Sequence, residues 1–179
     1  MMMRTAAEWL TPVKASGMAA YLIASLSCAA AATLGRVRRT TRLAAVLCVL
    51  YLALFFDIAA DWRWKLYDWL RSDAVSLHWY NQRTGPQIAV LGFIAVGLLI
   101  AGLWLRRRFA SVRGAPLAIC GALLSIGCWL TEVVSLHAVD ALLYQRIGSL
   151  MAVSFVWILT GLMTTAGILM AAVSSYHNM

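Results

Sequence analysis

The chain predicts an all-α, polytopic integral membrane bundle, and three observations carry that expectation. Of its 179 residues, 63% are hydrophobic and only 12% are charged. The mean hydropathy is +0.80, far from that of a water-soluble domain. The apolar residues are gathered into long uncharged runs, and no Ser, Gln or Lys tract interrupts them. Because lipid offers no partner to an unpaired backbone amide, each such run is expected to cross the membrane as a helix of about 20 residues.

Five runs qualify within a single membrane domain spanning 1–179: approximately 18–34, 43–60, 88–105, 116–136 and 148–173. The first is rich in Ala and Ser, and if it does not cross, four spans remain. A signal peptide cleaved near Ala32 would leave Arg36, Arg38, Arg39 and Arg42 outside, against the rule that Lys and Arg stay cytoplasmic.

Charge placement orients the chain. The loops after the first and third spans carry Arg36, Arg38, Arg39, Arg42, Arg106, Arg107, Arg108 and Arg113, without an acid among them. These loops are expected in the cytoplasm. All seven acids fall on the other side, balanced by Arg4, Lys14, Arg63, Lys65, Arg71, Arg83 and Arg146. The formal charge of +8 is then cytoplasmic, the C-terminus lies inside, and the setting is a bacterial inner membrane. The arginine clusters flank spans and lack interleaved aromatics, so they read as attraction to anionic headgroups; nucleic acid is excluded as a partner.

Between the second and third spans, the segment 62–77 places Trp62, Leu66, Trp69 and Leu70 on one broad face of a helical wheel. Asp57, Asp61, Asp68 and Arg71 share the other. An amphipathic helix lying in the outer interface is expected there. The turn dipeptide Gly85-Pro86 then marks re-entry into the membrane.

Small residues recur at spacing four in the first span, at Ser16, Ala20, Ala24, Cys28 and Ala32, a stripe that permits close helix approach within the chain, in a homo-oligomer or in a larger membrane complex. Cys28, Cys48, Cys120 and Cys128 all fall in spans and form no Cys-x-x-Cys pair, which argues against thiol redox chemistry.

Polar residues that interrupt apolar runs are costly unless paired or wetted, so they nominate the functional region. Asp57 is the fifteenth residue outward from Leu43 and Glu132 the seventeenth from Pro116, which puts the two carboxylates at matched depth on neighbouring spans. Asp61 follows Asp57 at i+4, while His137, Asp140 and Tyr144 follow one another at i+3 and i+4. With Arg83 and Arg146 on the same side, these residues form the expected ligand-binding cluster: Asp57, Asp61, Arg83, Glu132, His137, Asp140, Tyr144 and Arg146.

Three functions are open to that cluster. It binds a small ligand, a lipid or an ion, in a protein that acts alone or as an accessory subunit; or Glu132, His137 and Asp140 perform acid–base chemistry at the outer leaflet; or it is a structural ion-pair network in a scaffold. No cofactor is named by any motif, and membrane lipids are the expected partners. His78, His137 and the distant carboxylates do not have metal-ligand spacing, and no histidine sits at a span centre where a bundle would hold haem. Phosphate-loop, nucleophile-elbow and His-Glu-x-x-His patterns are missing from the sequence.

Overall fold

The computed structural model describes residues 11–35, 37–76, 84–134 and 137–177. Nearly all of them are helical: α1 Pro12–Leu34, α2 Arg38–Ala60, α3 Trp62–Ser76, α4 Thr84–Arg108, α5 Ala115–Val134, α6 His137–Leu143 and α7 Ala152–His177. A two-stranded hairpin, β1 Arg146–Ile147 and β2 Leu150–Met151, separates α6 from α7. Five helices are long and apolar enough to cross a membrane: α1, α2, α4, α5 and α7. At 1.5 Å per residue, the 20 residues of α5 reach about 30 Å, the thickness of a hydrocarbon core.

The last span departs from expectation at its start. Residues 148–151 belong to the hairpin and not to the helix, because Gly148 adopts φ 67° in the turn and Ala152 N–H closes it onto the Gln145 carbonyl. Hydropathy cannot separate an apolar strand from the helix that follows it. At the start of α1, the Thr11 hydroxyl caps the Lys14 N–H and Pro12 occupies the first turn, so this helix begins six residues before the apolar run.

The helices pack in a row, α2–α1–α7–α5–α4, with α1 and α7 central and α4 at the edge against α5. The bundle is turned out apolar side first. Phe93, Val46, Val49 and Leu26 face outward, while Ser25, Thr40, Ser125, Ser154, Thr160 and Thr164 are buried. In lipid, where no hydrophobic drive joins helices, the buried hydroxyls of Ser25, Ser125 and Thr164 act as interhelical ties. Tyr51 of α2 shows it: its phenol pairs with the Thr164 hydroxyl at 2.6 Å, with Ser125 at 3.1 Å and with the Thr160 carbonyl at 3.3 Å, linking three helices. Close approach of α5 to α7 depends on Gly121, where a Cβ would stand 2.7 Å from the Thr160 carbonyl oxygen.

The small-residue face of α1 is spent inside the chain. Gly17, Tyr21, Ala24, Ser25, Cys28 and Ala31 are the buried positions, a stripe rotated slightly from the one expected, of which Ala24 and Cys28 are common to both. The rotation arises because α1 is covered on two sides, by α2 and by α7, and not along a single seam.

Both ends of the bundle are polar and they differ in charge. At one end Arg39 donates to the Ser111 hydroxyl at 3.4 Å, joining the α1–α2 turn to the α4–α5 loop, the two arginine-rich connections. At the other end the start of α1, the end of α2 and the end of α5 are tied together by the ion pairs described next, and α7 joins them through Trp157. The Gln87 amide donates to the Val134 carbonyl at 3.0 Å and brings the start of α4 to that same end.

Candidate functional site

The site grows from the break between α2 and α3. Asp61 stands at φ 56°, a left-handed conformation that Asp tolerates better than most residues, and its N–H closes on the Asp57 carbonyl. The chain restarts as α3 with a new angular phase, and the first turn carries Arg63 into the bundle. Arg63 is only 5% exposed.

There one guanidinium serves two carboxylates from different helices. Arg63 Nε donates to Asp57 Oδ2 at 2.7 Å, and Nη2 faces the same oxygen at 2.6 Å as an ion-pair contact whose N–H direction misses the hydrogen-bond line. Arg63 Nη1 donates to Glu132 Oε2. The Trp157 ring, from α7, lies under the guanidinium with 5.2 Å between Cζ and the ring centroid.

Glu132 is further surrounded by donors. Trp157 Nε1 reaches Oε1 at 3.3 Å, Cys128 Sγ reaches the same oxygen at 3.3 Å, and the Tyr144 hydroxyl reaches Oε2 at 3.4 Å. Burying two acids against one base leaves a formal charge of −1, and these three neutral donors spread it, as an unpaired buried charge requires.

The electrostatics follow the geometry. Burial works against the Arg63 charge, but Glu132 and then Asp57 more than offset it and hold the guanidinium protonated above its ordinary range. Burial, and next the Glu132 carboxylate, push the Tyr144 phenol up, so Tyr144 remains a neutral donor.

A second ion pair lies nearer the surface. Lys14, one turn into α1, meets Asp61 Oδ2 at 2.5 Å. Between the two pairs opens a cavity of about 580 Å³. Asp57, Arg63, Glu132 and Trp157 form its polar floor, Trp64 and Tyr144 a ring-on-ring wall with centroids 5.6 Å apart, and the hairpin with Arg146 its rim. Its size and apolar lining with few convergent polar groups are those of small-molecule sites.

Of the residues expected from sequence, Asp57, Asp61, Glu132, Tyr144 and Arg146 all line this cavity. Asp140 sits one helical turn before Tyr144, accepts its N–H at 2.9 Å through the backbone carbonyl, and adds negative potential to the phenol. Arg83 lies outside the described residues, as does the side chain of His137, whose backbone opens α6.

Lys14, Trp64, Cys128 and Trp157 join the site without having been singled out. Arg63 appears in the sequence only as one of several outer bases. A signal for Cys128 existed, since it precedes Glu132 by one helical turn; for Trp157 and Lys14, on α7 and α1, contact depends on helix packing alone. The break at Asp61 separates Arg63 from the helical phase of Asp57, so no periodicity running through α2 relates the two.

Among the described residues no three His, Cys, Asp or Glu side chains gather closely enough to hold a metal ion. No protein-family model, curated protein or solved structure matches this chain.

Proposed function

We propose that this chain is a small integral protein of a bacterial inner membrane, with its C-terminus cytoplasmic, whose outward cavity binds a small amphiphilic ligand, and that it works as an accessory subunit of a membrane complex. The observation that carries the binding reading is the aromatic-walled cavity of about 580 Å³, and its saturated floor argues against acid–base chemistry. Glu132 accepts from Arg63, Trp157, Cys128 and Tyr144, so its lone pairs are occupied and it is a poor general base. The floor is therefore poorly suited to moving a proton, and a ligand above it meets an apolar, aromatic-walled space also lined by Lys14 and Arg146. The orientation rests on the arginine-rich turns meeting at the opposite end of the bundle.

Native mass spectrometry of the protein from mild detergent tests this reading. A discrete adduct is expected in the wild type and is expected to vanish in Ser149→Trp, which fills the cavity from its rim, with the thermal melt unchanged. A wild type carrying no adduct, or an adduct indifferent to Ser149→Trp, would overturn it. Subunits that copurify under the same conditions report on the accessory role.

A further inference from the structure

A second cavity, of about 670 Å³, lies in the groove where the edge helix α4 meets α5, and Cys128, the donor to Glu132 in the polar site, is one of its lining residues. Leu99, Gly102 and Leu103 of α4 and Cys120, Leu124 and Gly127 of α5 line it, all apolar or small. No residue of α4 is buried, so one side of this groove opens to whatever surrounds the bundle. The groove runs along α4 from Ala95 to Arg106, twelve residues and eleven helical rises, or about 16 Å. That is an acyl chain's dimension rather than a compact solute's.

Its chemistry changes at one end only. Arg106 closes the groove, exposed, with Arg107 and Arg108 following it in the last turn of α4. Arg108 stacks over the Trp104 ring at 5.6 Å, a tryptophan–arginine pair of the kind that anchors a span at headgroup level. Ser111, in the loop that follows α4, accepts from Arg39 in the first turn of α2, next to Arg38. A second copy of this chain would bring the same bases against these. A phosphate would neutralise them.

The geometry points to a retained anionic phospholipid in this groove, with an acyl chain between α4 and α5 and its phosphodiester at Arg106, in the leaflet on the arginine-rich side. Basic pockets between membrane helices favour anionic headgroups for the same reason, because the cation is presented where the polar–apolar boundary of the lipid must lie. The inference rests on the membrane reading alone and is independent of the ligand proposed for the other cavity.

Delipidated protein should be mixed with equal amounts of phosphatidylglycerol and phosphatidylethanolamine in mild detergent and read by native mass spectrometry. One phosphatidylglycerol should be retained in preference to phosphatidylethanolamine by about fivefold or more, the worth of one arginine near a headgroup. Arg106→Gln should abolish the preference while Arg38→Gln, exposed at the same end but outside the groove, should keep it. Cys120→Trp, which fills the groove from an exposed position, should remove retention of both lipids. Equal retention of the two lipids, or a preference lost equally in Arg38→Gln and Arg106→Gln, would overturn the site and leave only diffuse attraction by the arginine-rich turns. Ser149→Trp should leave this lipid in place, which separates failure of this site from failure of the outer one.

Discussion

Replacing Arg63 by Met is the most informative perturbation of this protein. Arg63 is 5% exposed at its side chain, and the carboxylates it serves are 10% exposed at Asp57 and 2% at Glu132. Met keeps most of the volume and removes the charge, so two acids remain buried with no cation where one formal negative charge was spread before. Removing one member of a buried ion pair costs about 3 to 5 kcal/mol, mostly for the charge left behind. Loss of the stacked contact with Trp157, worth about 0.5 to 2 kcal/mol, falls within that figure. We expect Arg63→Met to lose about 3 to 5 kcal/mol in reversible unfolding by dodecyl sulfate in mixed micelles. Trp157 emission is a reporter that lies within the site itself. The triple variant Asp57→Asn, Arg63→Met, Glu132→Gln should recover most of that loss, since it removes every charge and leaves residue 132 an acceptor for Trp157 and Tyr144. Such recovery is non-additivity of the kind that contacting residues show. A single-variant loss below about 1 kcal/mol, the range of exposed pairs, would refute the reasoning. So would a triple variant as unstable as the sum of its separate changes.

Three further outcomes follow from the same geometry. Gly17 faces the Trp157 ring and stands 2.7 Å, measured from an added Cβ, from the Ile58 Cδ1, so Gly17→Ala should cost about 1 to 3 kcal/mol by overpacking and shift Trp157 emission, whereas an unchanged melt would mean α1 and α7 are not in contact there. Tyr144 titrates above its ordinary value of 10.0 in the folded protein, so the contribution of its neutral phenol is complete below that pH and declines as pH rises past it; the alkaline loss of stability should be shallower in Tyr144→Phe, and parallel curves for the two proteins would contradict it. Single cysteines at Ser111 and Ser149 should react with a charged maleimide from opposite sides of the membrane, Ser111 from the cytoplasm, and labelling of both from one side would break the end-to-end arrangement of the bundle.

What the sequence determines by itself about this protein is set by properties that are local along the chain. Hydropathy over about 20 residues is enough to place five spans, because the cost of an unpaired amide in lipid leaves helix as the form each run takes. Helical rise is enough to put Asp57 and Glu132 at one depth, since depth depends only on counting residues along a straight axis. Azimuth is different. Which residue turns inward after α2 depends on the φ of a single residue, Asp61 at 56°, and no periodicity drawn through that position survives it. Arg63 therefore looked like any other outer base, although in the fold it is the cation on which both carboxylates converge. Cys128 stood one turn from Glu132 and was readable, whereas Trp157 and Lys14 lie on other helices and reach the site only because α1 packs between α2 and α7. The tertiary structure decided the membership of the cluster because lateral packing in lipid is governed by small contacts such as Gly17 against Trp157 and Gly121 against Thr160, which depend on pairs of helices and leave no pattern within either one.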